Sequence, residues 1–200
     1  MKKLFPIFIL MLLIITGNSY CQNSDAQKAE RLRPALLVID IQNAFLPYMD
    51  KSEVESAMQN INQYITLFRQ KGFPIIRIYH SDIKYGIGPK EGSEEFEFPK
   101  TVLIKPDDPK VIKHYGDAFN KTELDKVLKE KKVNTLFLCG LSAVGCVLAT
   151  YIGADDNDYT AFFVKDAIIS HRSAYTKNVE DIFNALGYDA INLMLNNAEK

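Results

Sequence analysis

Two hundred residues carrying 24 Lys+Arg against 25 Asp+Glu have a formal net charge of −1, which excludes the basic excess that nucleic-acid binding demands. Hydrophobic residues make up 47% and charged residues 24%, so the chain reads as globular rather than disordered, with enough length for one core. Three cysteines are too few for a disulfide scaffold, and an odd count leaves at least one thiol over.

In chain order, Lys2 and Lys3 precede an apolar run from Leu4 to Thr16, followed by Gly17-Asn18-Ser19-Tyr20-Cys21. This is the layout of an export signal, too short to span a bilayer. Small Ser19 and Cys21 favour cleavage before Gln22, while bulky Tyr20 disfavours a lipid on Cys21. The expectation is a signal over 1–21, a polar tether over 22–33 and a single domain over 34–200. The mature protein is then exported, to the periplasm or beyond, and has no membrane attachment once the signal is gone. Removing residues 1–21 takes away two lysines and no acids, which moves the net charge to −3.

Ala35–Ile41 is a near-continuous apolar run, as in a parallel strand buried on both faces. Ser52-Glu53-Val54-Glu55 reads as a capping box. Val54, Ala57, Met58, Ile61, Ile65 and Phe68 follow at helical spacing, with Gly72 as the stop. Pro74–Tyr79 predicts a second strand. Between Ser81 and Pro109 the pattern fails, and glycines, prolines and the acids Glu94, Glu95 and Glu97 mark a functional or mobile loop. Thr135–Cys139 predicts a strand and Ala143–Ala154 a helix after it. Tyr159–Val164 predicts another strand. Val179, Ile182, Phe183 and Leu186 mark a helix closed by Gly187, and Ala190–Leu195 reads as a final strand. The alternation implies an α/β fold, a three-layer αβα sandwich around a mostly parallel sheet.

Sites in such sheets form at the carboxyl ends of strands. Asp40 lies near the end of the first strand. Cys146 sits early on the helix after Thr135–Cys139, where a helix N-terminus would lower a thiol's pKa and make it a nucleophile. Taken alone, Asp40 reads equally well as a loop cap, Cys146 as an inert core residue and Lys113 as a solvated charge.

Four motifs in order sharpen these readings. Ala35-Leu36-Leu37-Val38-Ile39-Asp40-Ile41-Gln42-Asn43-Ala44-Phe45, Val111-Ile112-Lys113 with Asp117-Ala118-Phe119 and Thr122-Glu123-Leu124, Cys139-Gly140-Leu141-Ser142-Ala143-Val144-Gly145-Cys146-Val147-Leu148-Ala149-Thr150, and Lys165-Asp166-Ala167 resemble those of the isochorismatase-like cysteine hydrolases. That superfamily includes nicotinamidases and N-carbamoylsarcosine amidases, and the resemblance runs from about Pro34 to Leu195. It implies a Rossmann-like fold and hydrolysis of a small amide or related C–N bond through a thioester. Cys146 would be the nucleophile, Asp40 the proton carrier and Lys113 the group that holds Asp40 and balances charge. Backbone N–H groups of Ser142 and Cys146 would form the oxyanion hole, next to a cis peptide at Leu141–Ser142. Phe45, Tyr48, His80 and Phe119 are candidates for the substrate pocket.

The pattern also departs from its relatives. Many carry Thr-Asp where this chain has Ala143-Val144, which strips polar groups from the pocket rim. The chain has only His80, His114 and His171, without the spaced Asp and His of a nicotinamidase metal site, so no metal and no other cofactor is expected. The partner is a small molecule, not nucleic acid, and the resemblance allows a homo-oligomer. Two other functions fit the same fold: a catalytically silent small-ligand binding protein and an isochorismatase-type vinyl-ether hydrolase. Gly140 and Gly145 stand at P-loop spacing, but Cys146-Val147 replaces the required Lys-Ser/Thr. Ser142, Asp166 and His171 follow the chain order of a serine hydrolase at the wrong spacing. Gly86-Ile87-Gly88 lies in a loop, outside any strand-to-helix turn.

Overall fold

The β-strands alternate their side chains between two faces, and each face meets its own helices. The computed structural model describes residues 31–81 and 88–200; the predicted export signal, all but the end of the tether, and Gly86-Ile87 lie outside these. Five strands, β1 (Pro34–Ile39), β2 (Ile75–His80), β3 (Lys110–Lys113), β4 (Thr135–Leu141) and β5 (Thr160–Ile169), pair in the order β3-β2-β1-β4-β5. Every pairing is parallel. Leu36 and Val38 point to one side, where they meet Ile61, Phe68 and Phe137. That layer is built by α1 (Lys51–Lys71) and α5 (Tyr188–Asn196). Ala35, Leu37 and Ile39 point to the other side, toward Leu124, Leu128, Ala154 and Val179. These come from α2 (Leu124–Glu130), α3 (Leu148–Asp156) and α4 (Ser173–Ile182). The result is the three-layer αβα sandwich with an all-parallel sheet. Among the described residues, no helix is long and apolar enough to cross a membrane.

Several boundaries differ from the sequence reading. The cap of α1 is Asp50, whose side chain accepts from the Ser52 N–H, so Ser52 lies inside the helix. Gly72 does close α1, in the left-handed conformation at φ 78°. The predicted strand Ala190–Leu195 is helix α5. Its apolar run is too short for periodicity to decide, and the tertiary contacts choose the helix: Ile191 and Leu195, four apart, are buried while Leu193 stays exposed. Leu186 does not belong to α4. It makes a one-residue parallel bridge beside β5 with Val164, donating to the Phe163 carbonyl and accepting from Lys165 N–H, and Gly187 caps α5. Strand β5 runs five residues past the predicted end, through a register shift opposite Leu138 and Gly140, so Lys165-Asp166-Ala167 lies inside the strand.

The helix predicted over Ala143–Ala154 begins only at Leu148. Ala143–Val147 forms a wide turn in which Gly145 (φ −122°, ψ −111°) leaves helical geometry. Ahead of it, the Leu141–Ser142 peptide is cis.

The acidic loop is anchored by its backbone and its aromatics. Phe98 stacks on Tyr79 with centroids 4.2 Å apart, and Phe96 is fully buried. The carbonyls of Glu95 and Glu97 accept the backbone N–H groups of Ala44 and Asn43 at 2.9 and 3.0 Å. The loop thereby buttresses the segment just after Asp40.

Candidate active site

The parallel sheet delivers Asp40, His80, Lys113 and Ser170 to one end, each at or just beyond the carboxyl end of its strand. Asp40 is 2% exposed and Lys113 0%. A buried ammonium and carboxylate are tolerated only when paired, and Lys113 Nζ lies 2.8 Å from Asp40 Oδ2. The same Nζ contacts His80 Nδ1 at 3.0 Å and the Tyr115 carbonyl at 3.1 Å. An ammonium has three N–H donors, and Asp40, His80, Tyr115 and the Cys146 sulfur share them. Burial alone would pull the Lys113 pKa down, but the Asp40 charge and the hydrogen bonds with Asp40 and Cys146 outweigh it and hold the group above its ordinary value. Lys113 is therefore a permanent cation inside the protein.

The other Asp40 oxygen, Oδ1, is buried and receives no N–H or O–H donor among the described residues, and the carboxyl group interacts with the Cys146 thiol. Asp40, His80 and Cys146 each bring one ligand atom to within 4.8 Å of the others. This is the one grouping among the described residues with the donor set for a metal ion. Lys113 already places a positive charge on two of its three members. Cys146 comes from the wide turn. The N–H groups of its neighbours Gly145 and Val147 both donate to the Ser142 carbonyl, at 2.8 and 3.2 Å.

The charge state of Cys146 is the reverse of the one expected from a helix N-terminus. Burial pushes the thiol up to about 12, nearby Asp40 adds to the rise, and Lys113 opposes it. The resting sulfur is a neutral thiol beside a carboxylate. Cys139 lies inside β4, fully buried, with Sγ 3.4 Å from the Leu37 carbonyl. Both cysteines are free, and burial alone raises Cys139.

A cavity of about 200 Å³ opens at this cluster, lined by Asp40, Phe45, Tyr48, Met49, His80, Leu141, Ser142 and Cys146. Three of the four predicted pocket residues line it. Phe119 does not; it packs on Tyr159, ring centroids 5.5 Å apart, in the core under α2. Its motif neighbours serve the fold: Thr122 Oγ1 donates to the Ala118 carbonyl at 2.5 Å, and Thr150 Oγ1 accepts the Ala118 N–H at 3.1 Å.

Three positions that shape the site have no site role in the sequence reading. Gln42, fully buried, clasps the His80 backbone from both sides: Nε2 donates to the carbonyl at 3.0 Å, and Oε1 accepts the N–H at 2.7 Å. It stood inside the first motif as the residue two after Asp40, and that proximity was the available signal. Ser170, fully buried, pairs its hydroxyl with that of Ser142 at 3.1 Å. Gly140 sits at φ +116°, and a Cβ there would lie 2.0 Å from the Ile39 carbonyl oxygen. Glycine at this position lets the loop that carries Ser142 and Cys146 cross directly over the end of β1.

Comparison with known proteins bears on the family and the fold. The family model described as "Isochorismatase domain" matches residues 34–189. An uncharacterized isochorismatase family protein of Bacillus subtilis, YddQ, is 32% identical over 138 residues, 66% of this chain and 76% of the relative. An Arabidopsis thaliana protein named as a probable inactive nicotinamidase is 28% identical over 179 residues, covering 78% of this chain and 91% of its own. The crystal structure of N-carbamoylsarcosine amidase from Thermoplasma acidophilum shares the fold with a TM-score of 0.67, at 24% identity over 78% of this chain and 95% of that one. Four ordered motifs, an all-parallel αβα sandwich and the family match place this chain in the isochorismatase-like cysteine hydrolase superfamily.

Proposed function

We propose that the protein hydrolyses a small amide or related C–N bond through a thioester on Cys146, with Asp40 and Lys113 completing the triad. The observation that carries this reading is Asp40 itself. One oxygen is fixed on a buried lysine, the other is buried with no N–H or O–H donor among the described residues, and the carboxyl group hydrogen-bonds the Cys146 thiol. A neutral thiol needs a base, and a carboxylate with one oxygen to spare is one.

Cys146 Sγ gives its proton to Asp40 Oδ1 as the sulfur attacks the acyl carbon, and the S–C bond forms while the carbonyl oxygen gains charge. Backbone N–H groups of Ser142 and Cys146 receive that oxyanion. As the C–N bond breaks, Asp40 passes the proton to the leaving nitrogen. Water then attacks the thioester, giving one proton to Asp40 and its hydroxyl to the acyl carbon. The C–S bond breaks, and the sulfur recovers its proton from Asp40. Lys113 stays protonated throughout and keeps the site neutral when the thiolate and carboxylate charges shift. The N-terminal segment makes this an exported activity under the same proposal.

The test is acyl transfer. Incubation with an amide substrate and hydroxylamine is expected to yield the hydroxamate along with the acid, because hydroxylamine intercepts a thioester faster than water does. Ammonia release without any hydroxamate would speak for direct attack by water and against the covalent route. A second reading, a silent binding protein, draws on the relative named as an inactive nicotinamidase. It predicts thermal stabilisation by a ligand with no ammonia from any amide.

A further inference from the structure

Ser142 sends its hydroxyl in an unusual direction. The residue stands at the head of the wide turn Ala143–Val147 in extended geometry (φ −88°, ψ 140°), where a serine ordinarily caps the N–H groups of its own turn. Its side chain makes no such cap. The carbonyl takes the N–H groups of Gly145 and Val147, on either side of Cys146, and the hydroxyl reaches across to Ser170 Oγ at 3.1 Å. The last rung of the β4–β5 pairing is Leu141 beside Ile169. The two serines stand one step past it, so a hydroxyl pair continues the link where the backbone ladder has ended.

Ser170 is itself held. It is fully buried, and its carbonyl accepts the Asp50 N–H at 3.0 Å. The Asp50 carboxylate in turn accepts the Ser52 and Ser173 N–H groups at the starts of α1 and α4. His171 Nδ1 lies 3.4 Å from the Ser170 hydroxyl, but a hydroxyl donates once and accepts twice, so this exposed ring does not displace Ser142. The consequence is geometric. The Ser142 α-carbon carries a carbonyl, a side chain and an N–H. The turn pins the carbonyl and Ser170 pins the side chain, which fixes the direction of the N–H.

We propose that Ser170 is a positioning residue that acts through the Ser142 hydroxyl to aim the Ser142 N–H at the oxyanion. The proposal rests on the hydrolase reading above and deepens it. Ser170 touches neither the acyl group nor the thiol. The Cys146 sulfur is placed by the turn, whose bonds to the Ser142 carbonyl persist without Ser170. Losing the Ser170 hydroxyl therefore slows a step that builds an oxyanion and spares one that needs only the sulfur.

Two reactions of the same sulfur separate these cases. Acetyl transfer from p-nitrophenyl acetate passes through an oxyanion and releases nitrophenolate. Iodoacetamide alkylates the sulfur by displacing iodide and makes no oxyanion. Both are timed on the whole protein, by absorbance and by intact mass, with the Cys146→Ala background subtracted. Ser170→Ala is expected to slow acetyl transfer about 10–100-fold and to leave alkylation within about 3-fold of wild type. Ser142→Ala reads the same link from its other end and is expected to show the same split, with no further loss when Ser170→Ala is added to it. Equal slowing of both reactions by Ser170→Ala, unchanged acetyl transfer in it, a further loss in the double variant, or a wild-type sulfur that takes no acetyl group each overturns the inference. The hydrolase reading is decided separately, by the hydroxylamine trap on an amide. Hydroxamate from the wild type alongside equal slowing in Ser170→Ala would keep the hydrolase and remove the role of Ser170. The expected split with no ammonia from any amide would keep that role and sink the amide reading.

Discussion

At the residue scale, Asp40 favours the protonated form of both its neighbours, which leaves one charged and the other neutral. It holds Lys113 protonated and keeps the Cys146 thiol neutral. In Asp40→Asn burial still raises the thiol but the added rise from the Asp40 charge is gone, while Lys113, which lowers it, remains. The variant is expected to react with iodoacetamide at least 10-fold faster than wild type at pH 8, while losing at least 100-fold in amide turnover. Alkylation timed by intact mass, next to an ammonia assay, reads both. A change of the two rates in the same direction would argue against Asp40 as the base. Lys113→Met leaves a buried carboxylate without its partner, at a cost of about 3–5 kcal/mol of stability. Asp40→Asn combined with Lys113→Met removes both charges and is expected to recover more than half of that loss in urea unfolding.

At the element scale, the turn before α1 is a junction. Asp50 accepts from Ser52 N–H at the start of α1 and from Ser173 N–H at the start of α4, and its own N–H donates to the Ser170 carbonyl. The residues just before it, Tyr48 and Met49, wall the cavity. Its hydrogen bonds with Ser52 and Ser173 hold the Asp50 carboxyl below its ordinary value. A carboxyl lowered in the folded state contributes stability above its unfolded pKa, and that contribution fades as pH falls through the folded value. Asp50→Ala is therefore expected to lower the Tm at pH 7 and to differ little from wild type near pH 2. Thermal scans across that range decide it. The two tight glycines separate by what they touch. At Gly140 a Cβ would strike the Ile39 backbone at positive φ; at Gly153 it would meet the Asp117 carboxylate at 2.3 Å, a side chain that can swing. Gly140→Ala should cost the larger drop in Tm, and a larger drop for Gly153→Ala would mean the crossing of the Cys146 loop over β1 is not as tight as described.

At the scale of the molecule, the fold and the site's membership were legible because they rest on local order. Apolar runs such as Leu36–Ile39 announce buried parallel strands, and the end of the first then nominates Asp40 before any contact is known, whereas Lys113 is nominated by its motif alone. What escaped was nonlocal. Tyr188–Asn196 is helical because Ile191 and Leu195 pack on one face, which a short apolar stretch cannot announce. Phe119 turned to Tyr159 rather than to the cavity, and Ser170 met Ser142 only through the register of β4 and β5. The thiol's charge state was misread for the same reason. The helix expected from Ala143 starts two residues after Cys146, at Leu148, and burial, which no motif encodes, raises the thiol. The central claim remains that the Cys146 sulfur carries the acyl group. Its most direct test is ammonia release from a turned-over amide by Cys146→Ala, with the fold checked by circular dichroism. A loss of at least 1,000-fold with the fold intact is the predicted result; turnover within 10-fold of wild type would contradict the account.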